Sequence, residues 1–463
     1  MNAYQKKIPG WARLSTAVIA IAALPAVGCT TDELLSVTDP DIIPPVSVPS
    51  PAGANATRLG ALARLNTATS GGESLFLLGG LFADEWNNGD SFIARQEIDQ
   101  RVITIENSFL TTANRALHRA RLSGEQAVQL LNEFVPTGPA ANVAEMYFVQ
   151  AFVENLMAEH YCNGIIFSTI VNGIEEYGEP ITTAETFARA LAHADSGLAL
   201  ITGTTAADVR VRNALRVLKG RILLNLNRPA DAGLAVSTAP AVPTNFVYQQ
   251  VHSTTTADNQ IWNLNNSARR YSVSTGEGTN GLPFASANDP RVPVCTGGDV
   301  NCRAIGVTNT QRDDLTTPLF VQRIWPTRET AVTIASGVEA RLIEAEAALR
   351  AGSAATYLTK LNEARATGGV AGLTALTDPG TDAARIDLLF RERGFWMFST
   401  GHRVGDLRRL IRQYNRPASA VFPTGQWHKG GNYGADVTVP LPQAEQNNPN
   451  VGTGNDACID RAA

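Results

Sequence analysis

Apolar positions recur at helical offsets along most of the chain from residue 59 onward. In residues 58–67, Leu59, Leu62, Ala63 and Leu65 share one face, and residues 110–134 are long, periodic and almost free of breakers. Residues 140–161 carry Tyr147, Phe148, Ala151 and Phe152 along one side, and Thr183 opens a helix through Phe187, Leu191 and Ala194. Two stretches read as paired helices: 211–236, turning at Asn227-Arg228-Pro229, and 336–365, turning at Gly352-Ser353. In the second pair, Val338, Leu342, Ala345 and Leu349 form an apolar stripe. Glu339, Arg341, Glu344 and Glu346 are expected to face outward, with Glu346 and Arg350 paired at i,i+4. Small residues such as Ala345 and Ala348 let the partner helix come close, as in tetratricopeptide-type hairpins, although that motif's strict consensus is missing.

The texture changes over residues 241–329. Pro, Gly, Asn and Thr become dense, and aromatics stand singly: Phe246, Tyr248, Trp262, Tyr271, Phe284, Phe320 and Trp325. Residues 415–463 are again loop-like, with Pro417, Pro423, Pro440, Pro442 and Pro449. The expected fold is mainly α: a scaffold of helical pairs over 59–240 and 330–414, an irregular loop-rich insert over 241–329, and a C-terminal loop region over 415–463. Loops held by a rigid scaffold are where binding residues tend to sit.

Ahead of this body, Lys6, Lys7 and Arg13 precede an apolar run from Leu14 to Leu24. That run is shorter than the roughly 20 apolar residues needed to cross a bilayer, so residues 1–28 read as a cleavable export signal. Val27-Gly28-Cys29 resembles the bacterial lipobox, in which the thiol is acylated and becomes the new N-terminus. Pro40, Pro44, Pro45, Pro49 and Pro51 then mark residues 29–58 as an extended tether. Removing 1–28 takes three positive charges from a net −5, leaving −8. Such a chain lacks the clustered Lys and Arg that nucleic acid requires. With Cys29 acylated, four cysteines remain for an oxidising compartment. Cys295 and Cys302 close a tight, turn-rich loop and are expected to pair; Cys162 with Cys458 follows by elimination. A zinc site on these cysteines fails on spacing and for want of a histidine pair.

Several motifs in chain order resemble one family. Residues 339–349 followed by Leu361-Asn362-Glu363-Ala364-Arg365 resemble the paired helices near the end of SusD/RagB lipoproteins. Glu392-Arg393, then Gly401-His402-Arg403, Asp406-Leu407 and Arg409, match that family's Glu-Arg … Gly-His-Arg-x-x-Asp-Leu-x-Arg stretch; Trp396 and Thr400 stand where acidic residues are usual. Val439-Pro440-Leu441-Pro442, Asn448-Pro449-Asn450, Asp289-Pro290-Arg291 and Asp39-Pro40 complete the set. The resemblance implies a SusD-like tetratricopeptide-like scaffold with a less regular ligand-facing lobe. It also implies a lipid anchor on the outer membrane, facing outward, where Asp32 and Glu33 resemble the acidic surface-export signal. The implied partners are a SusC-like TonB-dependent transporter and an oligosaccharide or other small nutrient ligand.

Catalytic constellations are sparse. Gly276-Glu-Gly278-Thr-Asn-Gly281 spells a dinucleotide fingerprint without the strand-to-helix context that would make it one. The histidines are scattered, and Glu175-Glu176 and Asp313-Asp314 read as solvated surface rather than a glycosidase pair. Arg403 and Asp406, i,i+3 on a helix, read as a structural ion pair. No cofactor, metal or enzymatic role is expected. Sugar rings stack on flat aromatic faces, so Trp262, with Asn263, Asn265 and Asn266, and Tyr271, beside Arg269 and Arg270, are the binding candidates. The competing reading is a periplasmic tetratricopeptide-like scaffold that binds only proteins.

Overall fold

Helices account for most of the regular structure in the computed structural model, which describes residues 49–171, 174–315, 318–451 and 458–463. The signal segment, Cys29 and most of the tether lie outside the described residues. Helix α1 (Pro51–Ser70) begins earlier than the tether boundary at residue 58 implied. Pro51 occupies the first helical turn, where its missing N–H costs nothing, and Ser50 Oγ accepts from Gly53 N, so a proline taken as a tether residue is a helix start.

The scaffold continues with α2 (Leu75–Phe82), α3 (Ile93–Gln100), α4 (Ser108–Phe134) and α5 (Ala140–His160). Then come α6 (Thr183–Leu200), α7 (Ala206–Asn225) and α8 (Pro229–Ser237). After the insert follow α9 (Gly337–Arg350), α10 (Ala354–Thr367), α11 (Asp382–Trp396) and α12 (Arg403–Tyr414). Capping boxes start α6 (Thr182 with Glu185) and α7 (Thr205 with Asp208). Helices pack in sequence order, α4 on α5, α5 on α6, α7 on α8 and α9 on α10, with α9 also lying on α8. The turns at Asn227-Arg228-Pro229 and Gly352-Ser353 fall between α7 and α8 and between α9 and α10, as the sequence pattern requires. Gly79 and Gly80 let α2 enter the centre: a Cβ at Gly79 would run into His160, and one at Gly80 into Trp86.

Strands are short and occur only as antiparallel pairs among the described residues. Two of these pairs tie the insert to the scaffold. β1 (Trp86–Asn88) pairs with the insert strand Tyr271–Val273, and the insert strand Val247–Gln250 pairs with Val332–Ser336 just before α9. The C-terminal region runs back over the scaffold, where Cys162 N donates to Val439 O and Gly434 N to Gln100 O. Cys162–Cys458 and Cys295–Cys302 are disulfide-bonded.

The charged face expected on α9 is not a face at all. Glu339, Arg341, Glu344 and Glu346 are all buried, because partners arrive from α10, α12 and the turn before α12. His402 Nε2 lies 2.9 Å from Glu339 Oε1, Arg341 reaches Glu363 at 2.9 Å, and Glu346 is ion-paired to Arg409. Arg350 bonds to Asn227 Oδ1 instead of Glu346. Likewise Arg403 pairs with Asp84 at 2.6 Å rather than Asp406, which is held by Arg393 and Arg409. Buried charges of this kind must be paired and hydrogen-bonded, and these are. α5 follows the same rule: Glu145 takes Arg58, Arg210 and Tyr248, Glu154 takes Arg189 and His193, and Glu159 takes Arg221 and Asn225.

Candidate functional site

The insert residues chosen for sugar chemistry have mostly structural duties. Asn259 Oδ1 caps the short turn Gln260–Trp262, which runs on into a π-helical turn, Asn263–Ser267. Asn265 is fully buried: its Nδ2 donates to Tyr271 O at 2.8 Å and Phe320 O at 3.1 Å, and its Oδ1 accepts from Gln322 N at 2.9 Å. Asn266 Oδ1 accepts from Gln322 Nε2. Asn265 spends its whole amide on the insert's backbone, while Asn266 Nδ2 is buried without a hydrogen-bond partner.

Tyr271 is also a correction. It lies in the strand opposite β1, is 0 % exposed, and meets Trp86 edge-on at 6.2 Å between ring centroids. The aromatic that stands singly in the sequence belongs to a strand buried at all three of its positions. Trp262 and Asn263 keep partial exposure, with Asn263 Nδ2 bonded to Gln260 Oε1 and Trp262 Nε1 without a hydrogen-bond partner. Their turn sits against Gly72 and so borders Glu73.

Two aromatic rings among the described residues are well exposed, Phe92 at 48 % and Tyr177 at 49 %. Neither stands out in the sequence, since Phe92 belongs to the scaffold half of the chain and Tyr177 to a short loop. Phe92 heads α3, where Asp90 Oδ1 accepts from its backbone N and fixes the approach. Arg270 of the insert stands with its guanidinium 4.8 Å from the Phe92 ring centroid, and Arg95 at 5.5 Å. Arg95 is ion-paired to Glu73 at 2.7 Å and to Asp90. Burial pushes the Glu73 carboxyl up to about 7, although Arg95 pulls the other way. Ile93 and Leu315 add exposed apolar surface on adjoining segments, because Asp314 N donates to Gly89 O and Gly89 N to Arg270 O. An aromatic ring, two guanidiniums and a carboxyl at one loop junction suit a ring-shaped polar ligand.

Tyr177 stands on the rim of a cleft of about 340 Å³ between α4 and the C-terminal segment, lined also by Asn114, Arg115, His118, Glu445 and Asn448. Burial pushes His118 down to about 3 and Glu445 up to about 7. At neutral pH the imidazole is therefore uncharged, 3.8 Å from Glu445.

Metal-type side chains converge in two places among the described residues. At Cys295, Asp299 and Cys302 the sulfurs form the disulfide, and Asp299 caps the helical turn Val300–Arg303. The other group is Asp99, Glu277 and His428. The Gly276–Gly281 stretch is a loop with positive φ at Gly276 and Gly278 and has no helix behind it to bind a pyrophosphate.

No family model matches the chain, and no curated protein matches it. Its fold has counterparts among solved structures. A SusD homolog from Bacteroides thetaiotaomicron superposes with a TM-score of 0.61 at 11 % identity, over 88 % of this chain and 95 % of that one. A SusD-like protein from Bacteroides fragilis gives 0.59 at 13 % identity over 87 % and 96 %. A SusD-like carbohydrate binding protein from Bacteroides vulgatus gives 0.52 at 11 % identity over 77 % and 83 %. The chain has the SusD-like fold, in agreement with the motifs of its C-terminal third.

Proposed function

We propose that this chain is a non-enzymatic surface lipoprotein that binds a glycan or another small nutrient and delivers it to a SusC-like TonB-dependent outer-membrane transporter. The observation that carries the reading is the SusD-like fold over nearly the whole described chain, in company with a neighbour described as carbohydrate binding. The export signal and Cys29 support the anchor, and no helix among the described residues is long and apolar enough to cross a membrane. Phe92 supplies the stacking face, with Arg270 and Glu73 beside it for hydroxyls, and Trp262 and Asn263 at its border.

The test is binding of soluble oligosaccharides to the purified mature chain, run beside Phe92→Ala and Tyr177→Ala. Loss of binding in Phe92→Ala alone places the ligand at the loop junction, and loss in Tyr177→Ala alone moves it to the cleft. A chain that binds no glycan or other small nutrient, and that is shielded from protease on intact cells, is instead the periplasmic protein-binding scaffold.

A further inference from the structure

Three segments far apart in the chain bring their side chains together beneath the loop junction: Asp99 on α3, Glu277 in the loop after the Tyr271–Val273 strand, and His428 in the C-terminal region. Asp99 is 0 % exposed and Glu277 4 %. His428 Nδ1 lies 3.7 Å from Asp99 Oδ2 and 3.8 Å from Glu277 Oε2.

The other imidazole nitrogen fixes the tautomer. His428 Nε2 is 3.1 Å from Asn88 O, and a carbonyl only accepts, so Nε2 carries the proton. Nδ1 is left with a lone pair directed at two carboxylates, and it has no hydrogen-bond partner. Asp99 Oδ1, on a fully buried side chain, has none either. Three electron-pair donors therefore face one another in a buried place, which is costly unless something positive stands between them. The neighbouring donors stop at the other carboxylate oxygens and leave His428 Nδ1 and Asp99 Oδ1 without a partner. Asn88 N and Trp427 Nε1 satisfy Asp99 Oδ2, and Asn87 and Tyr433 satisfy Glu277. Arg312 is hydrogen-bonded to Asn87 Oδ1 and backbone oxygens, and Lys429 is paired with Asp314.

We propose that Asp99, Glu277 and His428 form a binding site for a divalent transition-metal ion, with zinc the best match. One imidazole nitrogen and two carboxylate oxygens form a ligand set that zinc takes, and a backbone carbonyl on the second imidazole nitrogen is the usual outer partner of a metal-bound histidine. Bonds of about 2.1 Å in a tetrahedron put ligand atoms about 3.4 Å apart, so the two separations from His428 need to close by only a few tenths of an ångström, and all three ligand atoms already lie within 4.8 Å of one another. Calcium asks for about six to eight oxygens and is a poor match. The His428 side chain is 18 % exposed, which leaves an opening for a water as fourth ligand. The ion would clamp α3, the loop at Glu277 and the loop at His428 to Asn88, four residues before Phe92.

The experiment uses the mature chain, chelator-treated and free of any histidine tag, titrated with zinc chloride by calorimetry at pH 7.5. One zinc per chain, a melting temperature that rises with zinc, and an absorption-edge spectrum with one imidazole and carboxylate oxygens are expected. His428→Ala should weaken binding at least about tenfold, and His193→Ala should leave it unchanged. Asp99→Asn is the second variant, with its folding checked by circular dichroism. Manganese binding in place of zinc would keep the site and overturn the choice of metal. Absence of any stoichiometric ion, or equal affinity in the His428→Ala chain, overturns the proposal.

Discussion

Asp406 Oδ2 accepts from Arg393 Nε at 2.7 Å, with both side chains buried between α11 and α12. Burial by itself would raise the Asp406 carboxyl; Arg393 and Arg409 outweigh it and hold the group well below the usual carboxylate range. Removing either partner strands a charge. Asp406→Asn is expected to destabilise the fold by roughly 3–5 kcal/mol, measured by denaturant unfolding, because Arg393 and Arg409 both lose their carboxylate. A change below about 1 kcal/mol would mean that the network is solvated in solution.

The pH profile should slope the unusual way above neutrality. Glu85 is buried, and burial pushes its carboxyl up to about 8 from 4.5, with Asp84 adding to the rise and Ser399 N opposing it. Glu73 and Glu445 are pushed up to about 7. A carboxyl raised in the folded state binds its proton more tightly there than in the unfolded chain, so its contribution is full below about pH 4.5 and is lost as pH rises through 8. Histidines held neutral by burial, such as His160 at about 4, act only below their ordinary 6.5. The melting temperature should therefore fall between pH 6.5 and pH 8, and Glu85→Gln should flatten that fall. An unchanged slope in the variant would remove Glu85 as its source.

The two disulfides should differ in worth. The Cys162–Cys458 bridge spans a sequence separation of 296 and the Cys295–Cys302 bridge only 7. On the loop-entropy relation the ceilings are about 5–6 and about 2–3 kcal/mol. Cys458→Ser should lower the melting temperature more than Cys302→Ser, and intact-mass analysis with and without reductant should account for both bridges.

Tyr271→Ala should cost about 3–5 kcal/mol of stability through the cavity left beside Trp86. Phe92→Ala and Arg270→Ala should change the melting temperature little while weakening ligand binding. If Tyr271→Ala melts like the parent, the strand it occupies is not core.

Cys29→Ser should release the protein from the membrane fraction, since the acyl chain is the proposed anchor. A variant that sediments with membranes as firmly as the parent would point to another attachment.

The helical pairs were legible because helical periodicity and local turn chemistry act over a few residues, as at Asn227-Arg228-Pro229. The burial of Glu339 and Glu346 was not, because a charged stripe on an isolated helix reads as solvent-facing. Their partners His402 and Arg409 stand 63 residues further along the chain in each case. Trp396 and Thr400 stand where acidic residues are usual in the SusD/RagB stretch that the sequence resembles, yet the surrounding ion pairs form from Glu392, Asp406 and Glu346. The candidate site suffered the same way. Phe92 meets Arg270 only through β1 and the strand Tyr271–Val273, a pairing that local pattern does not reveal.

That pairing also sets the terms on which the insert can be re-engineered. A wholesale replacement of residues 241–329 would strip Trp86–Asn88 of its strand partner and expose the edge to stray association. Segments that only bridge between fixed points, such as the turn around Gly306 and the tip at Leu315, carry no such obligation. New ligand preferences are therefore to be sought by exchanging those tips while Tyr271–Val273 and Asn265 are kept as the graft's fixed seam.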